Sequence, residues 1–396
     1  MKSRMIYRWG IIGVFIGVVV GIGACGSVGL SGGSGDNQGD GASSGPELWA
    51  IEETTALTRG NNVYLIGTWR DLEFLSANFG EAGAPADAEY RLTDDIRFPS
   101  RSNVPSGKES ESYAKSAGFQ SIGTIERQFT GTFDGDGHAI IDLVINRPDE
   151  DEVGLFSGAD GATFRNVHLR SVSITGGSIV GGLAGFDDDV TIEKSSVSGD
   201  VFGRDAVGGL VGMNIGTTTI KESFVNGDVF GHVQVGGLIG ITNGDVTIEK
   251  SYVSGTVSGH AQVGGLIGIT NGDVTIEKSY VNAAVTGEWE VVGGLIGWNA
   301  IVMGTTISNV YGKEQTFVNE DRNTVNVPAI GNGGVVAGIT LLSEIDLLGT
   351  DKENLQAQFA GFDFTGERNT NPAIDPTWVF RGDAVWPVLF WQTETE

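Results

Sequence analysis

Short apolar runs alternate with glycines through the middle of the chain, and one unit of this pattern occurs five times. The unit begins with Val-Gly-Gly-Leu, and its copies start at Val180, Val207, Val235, Val263 and Val292. The steps between the copies are 27, 28, 28 and 29 residues, and the stretch 235–253 is repeated letter for letter at 263–281. A fixed period in this range predicts a solenoid, in which each unit buries its apolar face only against its neighbours.

Each unit predicts strands and no helix. It contains β-branched runs such as "VTIEKSYV" (246–253), bounded by Gly, Asn, Asp or Ser. The apolar residues do not recur at helical spacing, and paired glycines are costly inside a helix. Three short strands separated by bends account for a unit of this length. The sequence therefore predicts an all-β fold, a parallel β-helix with coils of about 28 residues.

Stacked coils place equivalent residues in columns, and two of the columns are apolar throughout. One column consists of Phe164, Ile192, Ile220, Ile248, Ile276 and Ile307, and the other of Val201, Val229, Val257 and Val285. Both are predicted to face inward. An unpaired lysine in the core would be prohibitively costly, so Lys250 is predicted to face outward and Ser251 inward. The chain must therefore bend between Ile248 and Lys250.

A third column is predicted to face outward, and most of it is aromatic. Its members are His168, Ser196, Phe224, Tyr252, Tyr280 and Tyr311. The rings of Phe224, Tyr252, Tyr280 and Tyr311 are predicted to form a ladder on the surface. Two interpretations remain open. The rings stabilise the sheet by stacking on one another, or they form a contact platform for sugar rings or a partner protein.

The flanking segments are predicted to cap the solenoid, because its end coils otherwise expose core and sheet edges. Residues 49–118 are assigned to an N-terminal cap, with a helix in 64–80 and a strand in 88–98. The repeat-bearing β-helix is predicted to span 119–312. Residues 313–396 are predicted to contain further coils and an aromatic-rich C-terminal cap.

The first residues are typical of a targeting segment. Basic residues precede an uncharged apolar stretch of sixteen residues at 9–24, followed by Cys25, the only cysteine. This arrangement resembles the lipobox of bacterial lipoproteins, so residues 1–24 are predicted to be a lipoprotein signal peptide and Cys25 the lipid anchor. The alternative is an uncleaved membrane anchor, for which the apolar stretch is slightly short. Residues 25–48, rich in Gly, Ser and Asp, are predicted to be a flexible tether.

The charge balance excludes one class of partner. The chain has 50 Asp and Glu residues against 24 Lys and Arg residues, and its formal net charge is -26. Such an acidic surface repels nucleic acid and anionic lipid, so no nucleic-acid partner is expected.

Several motifs, in order, resemble a known family. The stretch "FQSIGTIERQFTGTFDGDGHAIIDLVI" (119–145), "VGLF" (153–156) and the serial Val-Gly-Gly-Leu-any-Gly units resemble the GLUG-repeat proteins, which are bacterial surface or secreted proteins. The resemblance covers roughly residues 60–392 and implies a right-handed parallel β-helix outside the cell. The family commonly has Asn at a position that Asn166 and Asn309 occupy here. A continuous asparagine ladder is not expected, because the middle coils carry Lys194, Glu222, Lys250 and Lys278 there.

No motif predicts catalysis or a metal centre. Some GLUG-repeat proteins are attached to a metallopeptidase, which needs the string His-Glu-x-x-His. That string is missing here, and the four histidines lack metal-ligand spacing. The stretches "FDGDGHAI" (133–140) and "DDDV" (187–190) are acidic enough to suggest calcium. Both are interpreted as turns, because the ligand spacing of an EF-hand is missing. No metal, cofactor or catalytic residue is expected.

The sequence therefore predicts a non-catalytic, lipid-anchored protein of the bacterial cell envelope, at the outer membrane or the cell surface. Its expected partners are the membrane, through the lipid, and a glycan or extracellular protein bound by the repetitive face. Two alternatives remain. One is a carbohydrate-active β-helix enzyme, a lyase or a hydrolase, and the other is a structural envelope component without a specific ligand.

Overall fold

A computed structural model shows a parallel β-helix of about eight coils with about 28 residues per coil, which confirms the predicted fold. The described residues are 56–60, 63–99, 117–288, 291–300, 304–313, 316–318, 324–326, 329–331, 339–342, 378–379 and 388–389. The predicted signal peptide, Cys25, the tether and most of the C-terminal cap lie outside them. Within these ranges, no helix has the length and apolarity needed to cross a bilayer.

Each coil of the repeat contains four strands, and equivalent strands of successive coils form four sheets. Their pairing is parallel, except for an antiparallel pair of Thr58–Gly60 with Val63–Ile66 at the N-terminal end of one sheet. Sheet 1 has the longest strands: β4 (Ile96–Arg97), β6 (Ala139–Ile141), β7 (Val144–Arg147), β10 (His168–Gly176), β14 (Ser196–Phe202), β18 (Phe224–Phe230), β22 (Tyr252–Gly259), β26 (Tyr280–Gly287), β30 (Val310–Lys313) and β33 (Ile339–Leu342). Sheet 2 follows along the chain: β11 (Ser178–Gly181), β15 (Asp205–Gly208), β19 (Val233–Gly236), β23 (Ala261–Gly264) and β27 (Val292–Gly293).

The remaining two sheets complete each coil. Sheet 3 consists of β8 (Phe156–Asp160), β12 (Ala184–Asp188), β16 (Val211–Asn214), β20 (Ile239–Thr242), β24 (Ile267–Thr270) and β28 (Ile296–Asn299). Sheet 4 consists of β1 (Thr58–Gly60), β2 (Val63–Ile66), β3 (Glu89–Leu92), β5 (Thr132–Asp134), β9 (Thr163–Arg165), β13 (Thr191–Glu193), β17 (Thr218–Lys221), β21 (Val246–Glu249), β25 (Val274–Glu277) and β29 (Thr305–Ser308). Two antiparallel pairs follow: β31 (Thr316–Val318) with β32 (Thr324–Asn326), and β34 (Trp378–Val379) with β35 (Val388–Leu389).

The prediction of three strands per coil is wrong by one strand. The Gly-Gly-Leu stretch makes a tight corner between β19 and β20, which divides one expected strand into two. The two predicted inward columns are confirmed. The isoleucines of sheet 4 and the valines of sheet 1 are paired in register from coil to coil, and their side chains are buried. Burying each such side chain stabilises the fold by about 1.5–3 kcal/mol.

The N-terminal end contains the predicted helix, α1 (Trp69–Ala77), and the predicted strand, β3. Thr68 caps α1: its hydroxyl accepts from the backbone N–H of Asp71, and the Asp71 carboxylate accepts from the backbone N–H of Thr68. Leu72 and Leu75 are buried beneath it. The parallel stack begins earlier than predicted, because β2 already pairs in parallel with β3, well before residue 119.

The predicted bend before Ser251 is a left-handed residue. Lys250 has φ +49°, and the equivalent residues Asn166, Lys194, Glu222, Lys278 and Asn309 have φ between +46° and +53°. Asparagine tolerates this conformation better than lysine or glutamate, which explains why it suits the position. After the bend the serines face inward, as predicted. The backbone N–H of Ser223 donates to the Ser251 hydroxyl at 3.2 Å, and that of Ser251 to the Ser279 hydroxyl at 3.1 Å. A serine ladder thus lies one residue after the column that contains Asn166 and Asn309.

The glycines of the repeat lie where neighbouring backbone leaves no room for a side chain. A Cβ added at Gly236 would lie 1.9 Å from the carbonyl oxygen of Ile239, within the same corner. At Gly237 it would lie 2.1 Å from the carbonyl oxygen of Gly265 in the next coil and 2.7 Å from Val253. At Gly240 it would lie 2.6 Å from backbone atoms of the coil below. All three glycines of the motif therefore serve close coil stacking.

We expect Gly237→Ala to lower the free energy of unfolding by about 2–3 kcal/mol, because the added methyl group must displace either backbone or the buried Val253. Gly83→Ala is the matched control, since its Cβ would lie 3.7 Å from the Phe74 ring in ordinary contact. The control should change stability by less than about 0.5 kcal/mol. Urea unfolding followed by circular dichroism measures both. Equal stability of the two variants would contradict this account of the glycine motif.

Candidate functional site

The predicted aromatic column exists in sheet 1. Its members Phe224, Tyr252, Tyr280 and Tyr311 are paired in register on successive strands. The rings of Phe224 and Tyr252 stack with centroids 4.9 Å apart and planes 3° apart. Those of Tyr252 and Tyr280 stack with centroids 4.7 Å apart and planes 6° apart. The structure therefore brings Phe224, Tyr252 and Tyr280 together as a stack of three rings, and Tyr311 continues the column in register.

The prediction that this stack lies on the surface is wrong. The exposed fractions of Phe224, Tyr252, Tyr280 and Tyr311 are 6%, 4%, 2% and 4%. Strand alternation identifies the side of the sheet on which a ring lies, but not whether solvent reaches that side. The near-parallel rings also use their faces on one another, and a sugar would need such a face. The column therefore fits the sheet-stabilising interpretation, and as a ligand-contact ladder it is corrected.

Burial also alters the chemistry of this column. It raises the pKa of Tyr280 well above its ordinary value of 10, with a further contribution from Tyr252. At the lower end, burial and the charge of Arg170 lower the pKa of His168 to about 4, and a His168 ring nitrogen lies 3.1 Å from the Ser196 hydroxyl. Burial thus favours the neutral forms of both Tyr280 and His168.

A different part of the outer face of sheet 1 is open to solvent. Phe230 is 48% exposed, and its ring centroid lies 6.2 Å from that of the partly exposed Phe202 in the preceding coil, with planes 42° apart. On the same face and strand as Phe230, Asn226 and Asp228 are exposed, and Asp200 lies on the same strand as Phe202. We call Asp200, Phe202, Asn226, Asp228 and Phe230 the phenylalanine patch.

The phenylalanine patch is a feature that reading the repeat alone missed. Coils above it have Ser258 and Thr286 at the position of Phe230, so the aromatic pair is confined to two coils. The stretch "FVNGDVF" (224–230) contains a signal for it. Alternation places Phe224, Asn226, Asp228 and Phe230 on one face of the strand, and the last of these is a phenylalanine. The tilted rings leave faces available for an apolar ligand surface, and the adjacent carboxylate and amide groups can hydrogen bond to its polar edge.

A turn column beside the patch contains two of the four histidines. His232 and His260 stack with centroids 4.3 Å apart, and His260 Nδ1 lies 2.9 Å from a carboxylate oxygen of Glu288. Arg204 occupies the coil below and donates to the Ser178 hydroxyl at 2.9 Å. Arg204 and His232 are exposed and His260 is partly exposed, so this turn column faces solvent. Within the described residues, no group of three or more His, Cys, Asp or Glu side chains is arranged to hold a metal ion.

The first acidic stretch considered for calcium is a tight corner. Asp136 has φ +47° and Gly137 φ +87°, and the backbone N–H of Asp136 donates to an Asp134 carboxylate oxygen at 3.0 Å. Asn166 and Arg165 donate to the same carboxylate at 3.0 and 2.9 Å. Burial opposes ionisation of Asp134, but these hydrogen bonds outweigh it and lower its pKa. The oxygens that calcium would need are occupied by donors, so the turn interpretation holds.

The second acidic stretch begins with a carboxyl group in the core. Asp187 is fully buried and begins an inward polar column that continues with Asn214 and Thr242. One carboxyl oxygen accepts from Asn214 Nδ2 and from the Thr218 hydroxyl, both at 2.9 Å, whereas the other is buried with no hydrogen-bond partner. Burial, and secondarily the charges of Asp188 and Asp189, raise the pKa of Asp187 to about 7 despite those two bonds. Alternation had not predicted an inward acid.

No protein-family model matches the chain. Halomucin of Haloquadratum walsbyi is 36% identical over 172 residues, which is 41% of this chain and 2% of halomucin. A protein of Evansella cellulosilytica, provisionally described as a Gly-rich membrane protein, is 32% identical over 196 residues, which is 40% of this chain and 20% of that protein. This chain therefore spans a fiftieth and a fifth of the lengths of these two relatives.

One solved structure is similar over most of the chain. It is a protein of Bacteroides ovatus, provisionally described as an immunoglobulin A1 protease, and it matches with a TM-score of 0.58. The match covers 83% of this chain and 92% of that one, at 18% sequence identity. At this identity the likeness concerns the fold alone, and it shows the same parallel β-helix architecture.

The lowered pKa of His168 makes the folded state more stable as the pH rises from about 4 to 6.5. We expect Asp187 to have the opposite effect between about pH 4 and pH 7. Its pKa is raised from 3.8 to about 7 in the folded state, so folding favours the protonated form. That contribution is fully present below pH 4 and is lost as the pH rises to 7, a change of about 4 kcal/mol.

Asp187→Asn should remove this part of the pH dependence, because the amide keeps an acceptor for Asn214 and Thr218 and carries no charge. Asp228→Asn, an exposed position, controls for the loss of one negative charge. Urea midpoints measured from pH 4 to pH 8 test the expectation. A pH slope that Asp187→Asn leaves unchanged would show that Asp187 does not bind the extra proton.

Proposed function

We propose that this chain is a non-catalytic protein of the cell surface that recognises glycan through the phenylalanine patch. The observation that carries the proposal is Phe230, which is 48% exposed and lies beside Phe202 and the exposed polar residues Asn226 and Asp228. Aromatic rings stack on the apolar C–H face of a sugar, and carboxylate and amide groups bind its hydroxyls. Asn226 and Asp228 lie on the same strand face for that purpose.

The charge of the chain favours one class of glycan. The net charge of -26 and the carboxylates of Asp200 and Asp228 repel polyanions such as uronic-acid or sulfated polymers. Neutral or amino-bearing sugars suffer no such repulsion. The proposed ligand is therefore a neutral or cationic glycan.

The proposed location rests on the N-terminal residues and on the names of relatives. An apolar stretch at 9–24 precedes Cys25, the proposed site of lipid attachment, and the following polar residues would hold the β-helix away from the membrane. One relative is named a membrane protein and another halomucin, which supports a membrane or surface location. The resemblance to GLUG-repeat proteins supports the same location. Catalysis is not part of the proposal.

We expect the purified protein to bind neutral or amino-bearing glycans on a glycan array, and Phe230→Ala to weaken that binding at least about tenfold, because the exposed ring is lost. Thr286→Ala is the matched control, since Thr286 occupies the column of Phe230 two coils away. It should bind like the wild type. Wild-type protein that binds no glycan would overturn this function and favour the structural envelope component.

Lipid attachment is tested separately in a bacterial host. Wild-type protein is expected in the membrane fraction, to incorporate radiolabelled palmitate, and to enter the detergent phase on phase separation. Cys25→Ser should lose the label, because the thiol that forms the thioether bond to the lipid is missing. Serine at a neighbouring position, as in Gly26→Ser, is the control and should leave labelling intact. Equal labelling of the Cys25→Ser variant would exclude Cys25 as the anchor.

A further inference from the structure

The outer face of sheet 3 bears a continuous line of apolar side chains. Successive strands pair Phe186 with Met213, Met213 with Ile241, Ile241 with Ile269, and Ile269 with Trp298. We call these five residues the sheet 3 stripe. Most of them are partly exposed, and Trp298 is 39% exposed, whereas their inward neighbours are fully buried. With coils about 4.8 Å apart, the stripe is about 19 Å long.

Exposed apolar surface is concentrated on this one face. In the described part of the chain, four large apolar side chains are exposed: Ile125, Ile215, Phe230 and Trp298. Three of them, Ile125, Ile215 and Trp298, lie in or beside the sheet 3 stripe. Ile215, 43% exposed, adjoins the stripe two residues after Met213. Ile125, also 43% exposed, adjoins the other end of the stripe. Gly158 pairs with Phe186, and a Cβ added at Gly158 would lie 3.4 Å from the Cα of Ile125. A patch of this kind on an otherwise polar molecule marks an interaction surface.

The charges in the turns that follow the strands of the stripe have one sign. The turns that follow its strands contain the exposed Asp189, Asp245 and Asp273, and the described residues of these turns include no lysine or arginine. On the other side, Gln234 and Gln262 of the neighbouring sheet 2 strands are uncharged. The partner that complements this surface is therefore apolar along one line and basic beside it. A second copy of this acidic chain does not meet that requirement, because it would bring acidic turns against acidic turns.

We propose that the sheet 3 stripe docks an amphipathic α-helix of a partner protein, with lysine or arginine residues directed at the acidic turns. The spacing favours a helix over an extended segment. Apolar residues on one side of a helix recur every 5.4 Å or so, close to the 4.8 Å between coils, whereas those of a strand recur about every 6.6 Å. Methionine and aromatic side chains, here Met213, Phe186 and Trp298, are typical of such contacts. A glycan would lack polar partners along the stripe itself.

The probe is a synthetic peptide of about 18 residues with leucines at i, i+3, i+4 and i+7 and lysines between them, labelled for fluorescence anisotropy. A scrambled peptide of the same composition tests the helical pattern, and a version with glutamate for lysine tests the charge. Full-length wild-type protein should bind the patterned lysine peptide at least about tenfold more tightly than either of the others.

The stripe is tested by the double variant Met213→Thr/Ile241→Thr, in which threonine keeps β propensity on a solvent-facing position. Phe230→Thr is the control, since it removes an exposed apolar side chain from sheet 1. The double variant should bind the lysine peptide at least about tenfold more weakly, and the control like the wild type, with the far-ultraviolet spectrum and melting temperature of each showing intact fold.

Three results would overturn the proposal: equal binding of the scrambled peptide, unchanged affinity of the double variant, or a wild-type dimer in sedimentation that the double variant abolishes. The last result would assign the stripe to a second copy. Glycan binding by the double variant should remain intact, so the failure of this proposal and of the glycan proposal are distinguishable.

Discussion

The constraint on which the molecule depends is the short distance from one coil to the next. Equivalent residues of adjacent coils lie about 4.8 Å apart, so every residue must tolerate its own equivalent as a neighbour. Isoleucine on isoleucine and valine on valine satisfy this inside, and serine on serine does so through hydrogen bonds from backbone N–H groups. Glycine on glycine satisfies it at the corners, where backbone approaches backbone. Each copy of the repeat therefore restricts the residues that its neighbouring copies can carry.

Asp187 shows what happens where that constraint meets the end of a column. Above it, Asn214 and Thr242 continue a polar column with hydrogen bonds between them, while below it lies Ala159, which offers no side-chain partner. One carboxyl oxygen is therefore left without a partner in the core. A neutral carboxyl group tolerates that environment far better than a carboxylate, which is the physical origin of its raised pKa.

Much of the fold follows from the sequence because the repeat reports the columns directly. The inward isoleucines, the bend before Ser251 and the capped helix at Trp69 were all predictable from spacing and from the cost of burying lysine. The fourth strand was not, because paired glycines mark a corner without stating how sharp it is. The exposure of the Tyr252 column was not predictable either, since alternation along a strand carries no information about what covers the sheet. The phenylalanine patch was not predicted, because its residues differ from the equivalent residues of the other coils. Such non-repeated residues are the ones that can make one part of a repetitive surface specific for a ligand.

The letter-for-letter duplication of 235–253 at 263–281 has a consequence for growth in length. In the structure, β21 and β25 carry identical residues in register, so the upper coil meets the same neighbour that the lower one would meet in its place. Inserting or deleting a whole coil there leaves the contacts within the duplicated stretch chemically unchanged, and it lengthens or shortens the β-helix by one coil. A gene with such a tandem copy can change the reach of its product by recombination, without inventing a new core.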